Sequence, residues 1–200
     1  MNKKLFLAAL LLISSTAFAQ NTSVSQIEKR NTVSSEGFRV SLLRSNLSYK
    51  YKGNFFGVDF NETFKVDRTV GLSLGYVSFP VQQIGWSTNA AIMELKNEST
   101  VKVWRADGNL GYAFNPNVLV KAGLNLSNMR NKEADATYKP NIGAQAGFGF
   151  QFNKNLGLDL SYVIMRQTIV GDITTNGVKT GELEIDGTLS GTELALTGTF

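Results

Sequence analysis

The sequence contains neither histidine nor cysteine. That removes every mechanism built on an imidazole or a thiolate, together with disulfide scaffolds and Cys/His metal sites. A serine hydroxyl without a positioned base is a weak nucleophile, which leaves only a Ser–Lys arrangement around Lys121 as a catalytic option. The groups that remain are charged and amide side chains at alternate positions in otherwise apolar stretches: Arg105, Asp107, Lys121, Gln145, Asp159 and Glu193, with Asn109, Asn125 and Gln151 on the same parity. They carry both signs, so the chemistry expected of them is ion pairing inside a narrow space, where an unpaired ion costs several kcal/mol. Lys121 and Asp159 stand about three residues in from the starts of their segments and are expected to pair. Arg130, Lys132 and Arg166 sit at the opposite ends of theirs and could meet lipid phosphates, or, with Glu133 and Asp135 beside them, form a solvated mixed-charge loop. Neither a metal nor another cofactor is expected.

The elements that carry these residues are strands. Val70, Leu72, Leu74 and Tyr76 alternate with Gly71, Ser73 and Gly75, and Ala144, Ala146, Phe148, Phe150 and Phe152 alternate with Gln145, Gly147, Gly149 and Gln151. A period of two over such lengths means half-buried strands. Eight segments are predicted: 37–49, 69–79, 84–95, 101–114, 118–129, 139–152, 156–168 and 188–200. They run about 11 to 14 residues, enough to cross a bilayer when tilted and roughly twice the usual strand of a soluble protein. The fold class expected is all-β, an eight-stranded antiparallel up-and-down transmembrane barrel; a soluble barrel with its apolar face inside is the alternative. Connections alternate in length: 80–83, 115–117 and 153–155 are short, whereas 50–68, 96–100, 130–138 and 169–187 are long. Short periplasmic turns and longer external loops would produce that pattern.

The first nineteen residues carry Lys3 and Lys4, an apolar run from Leu5 to Ile13 and a small-x-small ending at Ala19, the pattern of a cleaved secretory signal peptide. Residues 20–36 read as a polar periplasmic leader and 37–200 as the barrel domain. Without Lys3 and Lys4 the basic count falls from 20 to 18 against 16 acids, a balance that does not suggest nucleic acid.

Aromatic positions suggest two interfacial girdles, with Tyr76, Trp86, Tyr112, Phe114, Phe150, Phe152 and Phe200 at the periplasmic rim and Tyr49, Trp104 and Tyr138 at the outer one. The first segment has mixed parity, since Phe38, Val40 and Leu42 oppose Leu43, Leu47 and Tyr49; a bulge at Leu42–Arg44 would reconcile them. Residues 50–68 contain Phe55, Phe56, Val58 and Phe60, which fits a hairpin above the membrane or an extra strand. Asn176-Gly177 reads as a two-residue hairpin turn between 169–175 and 178–185.

The signal peptide, the alternating segments, the Asn115-Pro116-Asn117 and Asn153-Lys154-Asn155 turns and the terminal Phe200 together resemble the small outer-membrane barrels of the OmpA-domain, OmpX/Ail and OmpW-like kind. The resemblance implies outer-membrane localisation, a Phe200 assembly signal read by the barrel-assembly machinery, periplasmic chaperones and lipopolysaccharide as partners, and a monomer. Glu193 matches the polar position of that signal, while Gly198 departs from it. Barrel enzymes of similar size use a catalytic histidine, so the function expected is non-enzymatic: envelope structure or surface interaction. The alternatives are a narrow conduit for small molecules, apolar ones included, or a soluble periplasmic barrel that binds a lipophile.

Overall fold

The computed structural model describes residues 33–55, 58–66, 68–96, 100–131, 137–175 and 178–200. The signal peptide, most of the leader, Lys132 and the Asn176-Gly177 turn lie outside these residues. Nine strands follow in order: β1 Val33–Phe55, β2 Val58–Lys65, β3 Arg68–Pro80, β4 Ile84–Lys96, β5 Thr100–Asn115, β6 Val118–Asn131, β7 Thr137–Gln151, β8 Leu156–Thr175 and β9 Val178–Thr199. Each pairs antiparallel with its neighbour, and β1 also pairs with β9, so the sheet closes.

Nine strands make eight staves. Both β2 and β3 run antiparallel along the same edge of β1, β3 through Ser45↔Thr69 and β2 from Ser48↔Lys65 upward. They are one stave with an extra residue at the join, where Val66 N–H donates to the Leu47 carbonyl at 2.9 Å. The segment 50–68 is therefore a hairpin continuous with the barrel wall. β1 begins at Val33, four residues before the expected start, and pairs there with Pro80.

The expected bulge at Leu42–Arg44 is absent. β1 pairs without a shift from Ser35 to Ser45, and Arg39, Ser41, Leu43, Ser45 and Leu47 all face inward. Parity looked mixed because the interior changes character along the barrel. Toward the long-loop end it is apolar, built by residues such as Leu43, Leu47, Met93, Val103, Met129, Val163, Met165 and Leu189. Val77, Phe79, Ala113 and Leu119 close the turn end. Tyr49 and Tyr138 pack against the upper apolar cluster and face inward, so they do not belong to an outer girdle.

Turn chemistry fixes the short connections. Asn115 Oδ1 accepts from Asn117 N–H and Val118 N–H at 2.8 and 2.9 Å, and Asn153 Oδ1 accepts from Asn155 N–H and Leu156 N–H at the same two distances. The third residue of each turn then reaches sideways, Asn117 Nδ2 to the Gln151 carbonyl and Asn155 Nδ2 to the Thr199 carbonyl, both at 2.7 Å. Phe200 exchanges backbone bonds with Phe38 at 2.8 and 3.1 Å and finishes the closure.

At the opposite end four strands outrun the rest. β1 continues to Phe55 with β2 on one side and, as far as Lys52↔Asp186, β9 on the other, while β8 and β9 pair up to Thr175↔Val178. These arms form a protruding sheet in the order β2-β1-β9-β8, with β2 at a free edge. Tyr51 stacks on Phe64 at 5.3 Å and meets Phe60 edge-on at 6.0 Å. Its hydroxyl donates to Glu62 Oε2 at 3.1 Å, and partial burial with that carboxylate raises its pKa above the ordinary phenol value.

Candidate functional site: the barrel interior and its outer wall

Between the two apolar layers the interior is ionic. The wall strands alternate strictly, so every second side chain of β1, β5, β6, β8 and β9 is delivered to one central layer. Arg105 of β5 makes a bidentate pair with Glu193 of β9, Nη2 to Oε1 at 2.7 Å and Nη1 to Oε2 at 2.9 Å, and its Nε lies 2.8 Å from Asp107 Oδ1. Ser45 Oγ adds a third donor to Glu193 at 3.1 Å. In the second cluster Asp159 of β8 receives both Lys121 and Arg39, the latter at 3.1 Å, and Arg39 Nη2 donates to Ser35 Oγ at 2.8 Å. Lys121 fits because its cross-strand neighbours on both sides, Gly111 and Gly147, have no side chain to displace its stem. Three cations face three anions, and all but Lys121 are less than a tenth exposed. The remaining space is about 30 Å³, room for one or two waters.

Arg105, Asp107, Lys121, Gln145, Asp159 and Glu193 therefore meet in one layer, with Gln145 donating to Asn109 Oδ1 at 2.7 Å. Arg39 and Ser45 are not among the residues read from the sequence, because the mixed parity of β1 hides which of its faces turns inward. The available signal was the spacing of Arg39, Ser41 and Ser45 opposite Phe38, Val40 and Leu42. The rim residues behave differently. Arg130 and Arg166 both point outward, but Arg166 pairs with Asn141 and lies two staves away, whereas the direct cross-strand neighbour of Arg130 is Lys102.

The outer wall is the inverse of the interior. Leu72, Leu74, Ile92, Leu110, Leu124, Leu126, Ile142, Leu160, Leu194 and Leu196 are exposed, Leu110 by 65% and Leu74 by 63%. Below them lie aromatic contacts, Phe38 on Tyr76, Tyr76 on Trp86 and Tyr112 on Phe114, at 5.2 to 5.5 Å between ring centres. A protein surrounded by water would not turn its apolar face outward and its ions inward. This is a transmembrane β-barrel. The soluble lipophile-binding alternative falls on the same observation, since the apolar face lies outside. A closed antiparallel barrel with short turns at one end and long arms at the other is of the outer-membrane type.

No family model matches the chain, and no curated protein sequence does. Solved structures similar to the barrel include the outer membrane protein OprG from Pseudomonas aeruginosa (11% identity, TM-score 0.44, 82% of this chain and 98% of that one). AlkL in DMPC bilayers (12%, 0.47, 91% and 95%) and Ail of Yersinia pestis (12%, 0.42, 80% and 99%) are similar to it as well. Identities this low give no residue of this chain a role.

Proposed function

We propose that the barrel is a non-enzymatic outer-membrane protein whose closed body anchors a surface-interaction sheet. The observation that carries this reading is the contrast between the filled interior and the unpartnered arms. Among the described residues an ionic layer of net zero charge lies between two packed apolar layers, which supports a closed interior. The β2-β1-β9-β8 sheet, in contrast, projects a free backbone edge beyond the membrane, a form that pairs with an incoming strand. Asp59, Glu62 and Lys65 on β2 supply the charges that keep such an edge from pairing with its own kind. Arg130 and Arg166 face the level of lipopolysaccharide phosphates, and Phe200, held in the closing pair of strands, suits a role as the assembly signal for the barrel-assembly machinery and its chaperones.

Planar-bilayer recording tests the closed body. The wild-type barrel is expected to give no steady openings, and steady single-channel steps would replace this reading with the pore. A second reading, a conduit for apolar molecules, draws on the apolar outer half of the interior; uptake of an apolar dye by vesicles carrying the barrel, absent from empty vesicles, would favour it.

A further inference from the structure

The lipid-facing wall is not uniform. On β5 and β6 the outward side chains form a vertical ladder of cross-strand pairs: Lys102↔Arg130, Trp104↔Asn128, Ala106↔Leu126 and Gly108↔Leu124. The lower rungs border a shallow, open apolar groove, with Ala106 and Gly108 as its floor, Leu124, Leu126 and Ile142 as its side, and Asp107 and Asn125 also in its lining. A Cβ on Gly108 would meet nothing within 4 Å, so the hollow opens outward. At its top two like charges stand directly opposite each other, an arrangement that costs sheet stability unless an anion joins them. Among the described residues neither Lys102 nor Arg130 has an ion-pair partner. Glu94, the cross-strand partner of Lys102 on β4, lies 3.5 Å from Lys96 instead.

Height places the two halves at different depths. From Phe114 in the lower girdle to Trp104 is ten residues of β5. For a strand tilted about 40° this is about 25 Å, the height of the apolar belt. Trp104 thus lies at the outer interface, Lys102 and Arg130 at headgroup level above it, and the groove within the acyl layer below.

We infer that this ladder is a binding site for one phosphorylated glycolipid of the lipid A class, with a phosphate bridging Lys102 and Arg130 and an acyl chain lying in the Gly108 groove. The choice of an outer-leaflet glycolipid rests on the orientation above, arms outward. Arg166 has no part in the site.

The test is native mass spectrometry of the full barrel, refolded in detergent and titrated with hexa-acyl bisphosphorylated lipid A, with dimyristoyl phosphatidylglycerol as competitor. Wild type is expected to retain one lipid A. The K102Q/R130Q pair and, separately, Gly108→Phe, which fills the groove, should each weaken retention at least tenfold, while Lys154→Gln, in the 153–155 turn at the opposite end of the barrel, leaves it unchanged. Retention unaffected by K102Q/R130Q overturns the headgroup clamp. Retention unaffected by Gly108→Phe overturns the acyl groove. Equal displacement by phosphatidylglycerol overturns the glycolipid assignment. Each sample is also run cold and boiled on an SDS gel: loss of the heat-dependent shift in the wild type would refute the barrel reading itself, independently of lipid. Should Gly108→Phe alone lose it, the Trp86→Phe barrel decides, since Trp104 is then its single tryptophan. Its emission must shift on lipid A addition and saturate at one lipid per barrel; no shift overturns the site.

Discussion

Glu193 accepts three hydrogen bonds from two other staves, two from Arg105 and one from Ser45. Removing it leaves Arg105 buried with Asp107 alone. Glu193→Ala is expected to cost about 3–5 kcal/mol, because a buried cation loses its bidentate partner. Equilibrium urea unfolding of the refolded barrel measures this. Replacing both members with Met and Leu should recover most of the loss, since an apolar pair strands no charge. These residues were legible in the sequence because a charge at every second position of an apolar run has only one side on which to hide. Arg39 was not, since its strand passes from an ionic layer into an apolar one, and the polarity rule that reads the face reverses midway. The rim arginines were legible as outward cations but not as partners; Lys102 acquires its meaning only from a register that the sequence does not print.

Strand ends were the most readable elements. The Asn-x-Asn turns mark their own positions, because the first Asn accepts the next two free N–H groups. The third Asn binds the neighbouring stave, a contact that no local rule announces. Asn155→Ala should lower stability by about 1 kcal/mol through loss of the bond to the Thr199 carbonyl, and Asn153→Ala by about 1–2 kcal/mol through loss of two N–H acceptors. Shifts in the urea midpoint at constant slope check both. Both arms were legible as hairpins, at 50–68 and on either side of Asn176-Gly177, but their continuity with the wall strands was not, because nothing in a period of two says where the lipid stops. Strand pairing continues past the membrane in β1, β8 and β9, and the break between β2 and β3 is a single extra residue.

At the scale of the whole molecule, closure is the property to measure. The folded chain is expected to migrate differently on an SDS gel before and after boiling, and identical migration would contradict a closed barrel. The alternation and the short turns revealed the ring; the filled interior was legible only as a set of charges that needed partners. Those partnerships also carry an order of events. Arg105 and Glu193 are 88 residues apart, Arg39 and Asp159 are 120, and Ser45 and Glu193 are 148. Loop closure over such spans comes late, after neighbouring hairpins have formed. Arg105 with Asp107 on β5 and Lys121 with Asp159 across β6 and β8 can meet earlier, so the bonds of Arg39 and Glu193 are the ones that wait for the last strand to meet the first. The ionic layer is in effect a proofreading device for insertion: an arrested or misregistered intermediate has no comfortable place in the bilayer, and only the finished ring can stay.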